Sequence, residues 1–141
     1  MDSPEPAPQH PRATAVMLGR PSQALAGVRL ILDGHFTVKL NADQLLRFLL
    51  TLPDEMAMHR LQFPVVYEDA NQLCGFVIIA ESHICVHQVE AKGHANPWYG
   101  AIDISTCRPD RLDIPHIVTY THQQLGFVVV IRLRRIVTPL V

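Results

Sequence analysis

Two runs, "GFVIIA" at 75–80 and "FVVVI" at 127–131, place apolar residues on consecutive positions with no polar residue between them. A β-strand sends alternate side chains to opposite faces, so a run of this kind belongs in a sheet that is covered on both sides. Two helical patterns supply cover for one side. "NADQLLRFLLTL" offers Asn41 as an N-cap, then Leu45, Leu46, Leu49 and Leu50 at helical spacing, with Pro53 as the expected stop. "DIPHIVTYTHQQLG" offers Asp113 as an N-cap, Pro115 in the first turn and Gly126 as the C-terminal stop.

The remaining segments read mostly as strands. "GVRLILDG" (27–34) is a strand closing on an Asp-Gly turn, and "LQFPVVYED" and "LCGFVIIAES" are two strands joined tightly through Asp69, Asn71 and Gln72. "HICVHQV" is a third strand or an extension of the second. "EAKGHANP" and "RPDRLD" are loops flanking the strand "WYGAIDISTC", and "FVVVIRLRRIV" is the last strand. The order β-α-β-β-β-α-β predicts an α+β two-layer sandwich, a mainly antiparallel sheet with two helices on one face. Two helices cover one face only, so the other is expected to be buried in a sheet-to-sheet homodimer.

With 141 residues the chain makes one domain, expected over 27–141, and residues 1–26, with four prolines in the first eleven positions, read as a disordered extension. A formal charge of −1 provides no basic field for nucleic acid. No apolar stretch approaches the roughly 18 residues of a membrane span, and the N-terminus lacks the basic and apolar regions of a signal peptide. Cys74, Cys85 and Cys107 are odd in number and without C-x-x-C spacing, which fits a reducing cytoplasm.

The chemistry concentrates in "IIAESHICVH" (78–87). His83 and His87 have a spacing that binds zinc on a helix, but on a strand they lie about 13 Å apart, too far for one ion, so no metal is expected. A Cys85–His87 nucleophile pair lacks an orienting third group and an oxyanion loop.

Taken together, "GFVIIAESHICVH" and the later "AIDISTC" resemble the pyruvoyl-dependent S-adenosylmethionine decarboxylase proenzymes of bacteria and archaea. In that family a small residue and a glycine precede an apolar strand and Glu-Ser-His. A histidine follows five residues after the serine, and a later strand ends in Thr-Cys. The resemblance is strong over 74–107, weaker over the opening strand and absent from the proline-rich tail. It implies self-cleavage between Glu81 and Ser82, with Ser82 becoming a pyruvoyl group that binds the substrate amine as a Schiff base. His87 takes the role of base in processing and Cys107 that of proton donor in turnover. Cys74 stands where the family commonly has a processing serine, and Arg29 where its opening strand has histidine. "QVEA" replaces Thr-Trp-Pro-Glu after the processing histidine, which leaves Glu90 near but out of register with the family's acidic residue. Tyr67 and Trp98 are the candidate aromatics for adenine. The implied activity is decarboxylation of S-adenosylmethionine for spermidine synthesis. A relative acting on arginine or ornithine through Glu68, Asp69 or Glu90, and a non-catalytic family member, are the alternatives.

Overall fold

The computed structural model describes residues 26–139, so all but the last residue of the expected disordered extension lies outside the described residues. Six strands and two α-helices follow in the order β1 (Ala26–Phe36), α1 (Ala42–Glu55), β2 (Val65–Glu68), β3 (Gln72–Ile79), β4 (Ser82–Glu90), β5 (Trp98–Thr106), α2 (Ile114–Leu125) and β6 (Phe127–Pro139). All pairings are antiparallel, and the sheet order is β2-β3-β4-β5-β1-β6. The α+β class is as the pattern predicts, with one strand more between the helices: "HICVHQV" is a strand of its own. No helix among the described residues is long and apolar enough to cross a membrane.

Both helices pack on one face of the sheet. Leu45, Phe48, Leu49 and Leu52 of α1 and Ile117 and Leu125 of α2 are buried against Leu30, Leu32, Val77, Ile84, Val86, Ile102 and Ile104. Asn41 and Gln44 form a full capping box at the start of α1: each side chain accepts a hydrogen bond from the other residue's backbone N–H, at 2.8 and 3.0 Å. The helix does not stop at Pro53 but continues to Glu55. The proline lies in the last turn, where one missing N–H breaks little of the ladder, and the Met56 N–H still bonds the carbonyls of Leu52 and Pro53. Asp113 and Gly126 cap α2 as expected, Gly126 in the left-handed conformation at φ 62°.

The Asp33-Gly34 turn does not form either. β1 runs through it to Phe36, and the register against β6 shifts between Leu32 and Gly34. A Cβ at position 34 would collide with the Val128 carbonyl, so this glycine serves close approach of two backbones within the sheet.

The second face of the sheet carries a mixture. Phe76 and Ile78 are each 40% exposed, and Val65, Tyr67 and Val130 are more so, while Arg29–Asp103 and Arg134–Asp33 form ion pairs across neighbouring strands. Nothing among the described residues covers this face. Its strand register places Tyr67, Cys74, His87 and Ala101 in one row and Ile78, His83, Ser105 and Arg29 in another.

Gly75 sits where α1 meets the sheet. A methyl group there would lie 2.8 Å from a Leu49 methyl and 3.1 Å from the Val65 carbonyl oxygen. Gly75→Ala is expected to lower stability by about 1–3 kcal/mol through overpacking, read as a lower urea midpoint at unchanged slope.

Candidate active site

Glu81 and Ser82 do not end a strand. β3 and β4 form a hairpin with Ile79 opposite Ser82, so Ala80 and Glu81 are its two-residue turn and Ser82 opens β4. The turn is gripped from two sides. The Ala80 N–H donates to the His59 carbonyl at 2.7 Å, and the Leu61 N–H donates to the Ile78 carbonyl at 3.0 Å, tying the hairpin to the segment after α1. On the other side the Cys107 N–H donates to the Glu81 carbonyl at 2.9 Å. The Glu81 side chain is buried beneath the turn. It accepts from the His59 backbone N–H (3.1 Å), from His59 Nδ1 (3.0 Å) and from the Arg111 guanidinium (3.1 Å). Burial by itself pushes this carboxyl up, but the hydrogen bonds from the His59 side chain and backbone outweigh it and hold the group below the usual carboxylate range.

Held in this way, the chain enters β4 with Ser82 at φ 148°, a region that residues with a side chain seldom occupy. Such conformations cost of order 1–3 kcal/mol and persist where surrounding contacts over-determine them. Ser82 is exposed, and its hydroxyl lies 3.2 Å from His83 Nδ1. A cavity of about 280 Å³ opens beside it, lined by Arg29, Glu81, Ser82, Ser105, Thr106 and Cys107 among others. Thus Glu81, Ser82 and Cys107, chosen from sequence for self-cleavage and turnover, surround one cavity.

The other candidates lie elsewhere on the chain. His87 is five residues along β4 from Ser82, about 16 Å at the rise of a strand. It is opposite Cys74, faces the open side of the sheet and bonds the Gln72 side-chain oxygen through Nε2 at 3.1 Å. Tyr67 is opposite Cys74 on β2, and both line a smaller hollow of about 150 Å³ with Val65, Phe76 and Cys85. Burial, with the nearby Asp103 and Cys74, pushes the Cys85 thiol up, away from a reactive thiolate. Glu90 and Trp98 are opposite one another at the far end of β4 and β5, about 26 Å from Ser82 by strand rise. Trp98 packs against the helix-side core with the Lys39 ammonium over its ring at 5.7 Å. Glu68 and Asp69 end β2 and begin its turn, and the Asp69 carboxylate is engaged by Asn71, Gln72 and Tyr67. His59 and Arg111 join the site without having been singled out, and His83 and Arg29, noted from sequence for other reasons, join it as well. His59 and Arg111 reach Glu81 over 22 and 30 residues, a closure that no local pattern announces.

A serine in strained backbone, its preceding carbonyl held by an N–H and a cysteine at the same cavity define an α+β protein with a serine-centred site built on a hairpin turn. The sequence model of the S-adenosylmethionine decarboxylase family matches residues 25–134, and the chain belongs to that family. A search of curated proteins found no significant match.

Because its folded-state pKa is depressed, the Glu81 carboxylate contributes stability that is present above its unfolded value and lost as pH falls through the folded one. Glu81→Gln is therefore expected to cost about 1–3 kcal/mol at neutral pH. Its stability should also fall less steeply than that of the wild type below about pH 4, as followed by acid titration of urea unfolding.

Proposed function

We propose that the chain is a self-processing, pyruvoyl-dependent decarboxylase of S-adenosylmethionine that works as a face-to-face homodimer and serves spermidine synthesis. The observation that carries this reading is the strained Ser82 between the N–H-held Glu81 carbonyl and the Cys107 cavity. Family membership supplies the substrate class.

In processing, Ser82 Oγ attacks the Glu81 carbonyl carbon while the Cys107 N–H, already donating to that oxygen, stabilises the developing negative charge. Cleavage of the Glu81–Ser82 C–N bond converts the amide to an ester and relieves the unusual φ at Ser82. A base then removes the Ser82 Cα proton, and the Cβ–O bond breaks to leave Glu81 as a new C-terminal carboxylate. Water replaces the nitrogen of the resulting enamine, which departs as ammonia and leaves a pyruvoyl group at position 82. That group would supply the electron sink that an amine-bearing acid needs to lose CO2. Cys107 lines the same cavity, which supports its role as donor of the proton that returns to the substrate carbon.

His87, about 16 Å along its own strand, does not reach this site within one chain. A second copy packed on the open sheet face about a two-fold axis would bring its own His87, Cys74 and Tyr67 over the first copy's Ser82, and the reverse. Exposed Phe76 and Ile78 on that face favour such packing, as does Asp103 Oδ1, a buried carboxylate oxygen with no donor among the described residues. Tyr67, 56% exposed on that face, is free to stack on adenine, whereas Trp98 is engaged on the helix side.

Intact-mass analysis of denatured wild type is expected to give two fragments, one ending at Glu81 and one beginning with a blocked position 82, and Ser82→Ala to stay whole. Only full-length mass in fresh and aged wild type would remove the self-processing reading. Co-expression of Ser82→Ala with His87→Ala should yield cleaved His87→Ala chains, since each such chain receives His87 from its companion. Cleavage absent from the mixture would remove the shared site.

For the substrate, CO2 release should come from carboxyl-labelled S-adenosylmethionine and not from arginine or ornithine. Tyr67→Ala should raise KM about tenfold, within the 1–3 kcal/mol typical of a base stacked on an aromatic ring. Trp98→Ala should lower stability with KM unchanged.

A further inference from the structure

The geometry points to His83 as the base that activates Ser82 in the first step of self-cleavage, a role separate from that of His87 in the elimination. This assignment rests on the self-processing reading above. Neighbouring residues of a strand point to opposite faces, so a residue following a serine is ordinarily out of its reach. Ser82 escapes that rule because of its backbone. At φ 148° its side chain departs from the alternation, and Oγ comes to lie 3.2 Å from His83 Nδ1.

Three features make the contact fit for proton transfer. His83 is exposed on the open face between Ile78 and Ser105, its partners on β3 and β5, neither of which is charged. Its ring is bonded to Ser82, while His87 is bonded to Gln72 and His59 to Glu81, so the three histidines have separate duties. The electrophile is prepared on the same residue pair, with the Glu81 carbonyl oxygen already accepting from the Cys107 N–H.

The step balances without any co-reactant. The Ser82 O–H proton passes to His83 Nδ1 as the Oγ–C bond forms to Glu81, and the carbonyl π pair moves to the oxygen held by Cys107. His83 then returns the proton to the Ser82 nitrogen as the C–N bond breaks and the carbonyl re-forms. The product is an ester isomeric with the starting peptide, with a free amine on residue 82. A neutral imidazole with its proton on Nε2 can perform both transfers.

The full chain made by cell-free synthesis allows this step to be timed. Samples treated with hydroxylamine split wherever an ester has formed, and untreated samples split only after elimination. With His83→Ala the hydroxylamine-sensitive species should form about a hundredfold more slowly than in wild type. His83→Gln, which keeps a hydrogen-bonding side chain but not a base, should be equally slow. His87→Ala should instead form the ester at the normal rate and accumulate it. Adding Ser82→Cys to His83→Ala should restore hydroxylamine-sensitive cleavage, because a thiol ionises without the help a hydroxyl needs. Ester formation at the wild-type rate in His83→Ala or His83→Gln would overturn the assignment. So would failure of the Ser82→Cys, His83→Ala double variant to recover, which would mean that loss of the imidazole disturbs the turn. A wild-type chain that never splits would instead remove the self-processing reading itself.

Discussion

The site depends on the burial of one carboxylate. Glu81 occupies a two-residue hairpin turn, a position usually exposed, yet its side chain folds inward to meet His59 and Arg111. Leaving that carboxylate without partners would be expensive, so the turn, the segment after α1 and the short 3-10 helix Pro109–Arg111 are fixed relative to one another. Arg111 also donates to the Ala57 carbonyl at 2.7 Å, which extends the clamp to the end of α1. Three stretches distant in sequence thereby converge on a single side chain, and the main chain of the next residue has little freedom left.

That loss of freedom shapes the chemistry. With Ala80, Glu81 and Cys107 held by backbone hydrogen bonds, the chain enters β4 at a φ that serine would not choose. The packing that stabilises the turn is the source of whatever strain Ser82 carries. On the proposed reading, a reaction that cuts the Glu81–Ser82 bond would release that constraint. The same Cys107 N–H that fixes the turn already donates to the oxygen that would gain charge in the proposed attack on the carbonyl. On that reading, structural support and electrostatic assistance would be one hydrogen bond.

Legibility from sequence followed the range of the interactions. Capping by Asn41, Asp113 and Gly126 is local, and it was readable. Pro53 and the Asp-Gly pair misled because each normally breaks an element. Pro53 lies where the helix is ending in any case, and Gly34 is required for close approach to Val128 and not for a turn. At the site, the family resemblance pointed to Ser82, Glu81 and Cys107, which meet around one cavity. It said nothing of His59 and Arg111, whose contact with Glu81 exists only after folding. Trp98, a candidate aromatic from sequence, is turned to the helix side by strand parity. His83 was weighed only as a metal ligand with His87, and its contact with the Ser82 hydroxyl exists only in the folded hairpin.

On the proposed mechanism, the distribution of groups over the open face would separate maturation into two stages. The groups proposed for converting the amide to an ester lie within one chain: the serine in its unusual backbone, the neighbouring imidazole and the N–H on the carbonyl. His87, the proposed base for the irreversible elimination, is held about 16 Å away beside Cys74 and Tyr67. A chain that has folded alone could therefore shuttle between amide and ester without being cut, because ester formation is an isomerisation and reverses freely. Commitment would await a second copy on the sheet face, the same event that covers Phe76 and Ile78 and brings a neighbour to the unpartnered oxygen of Asp103. Cleavage would then mark assembled molecules, and the hydrophobic burial that holds two copies together would also bring the second stage's base to its proton.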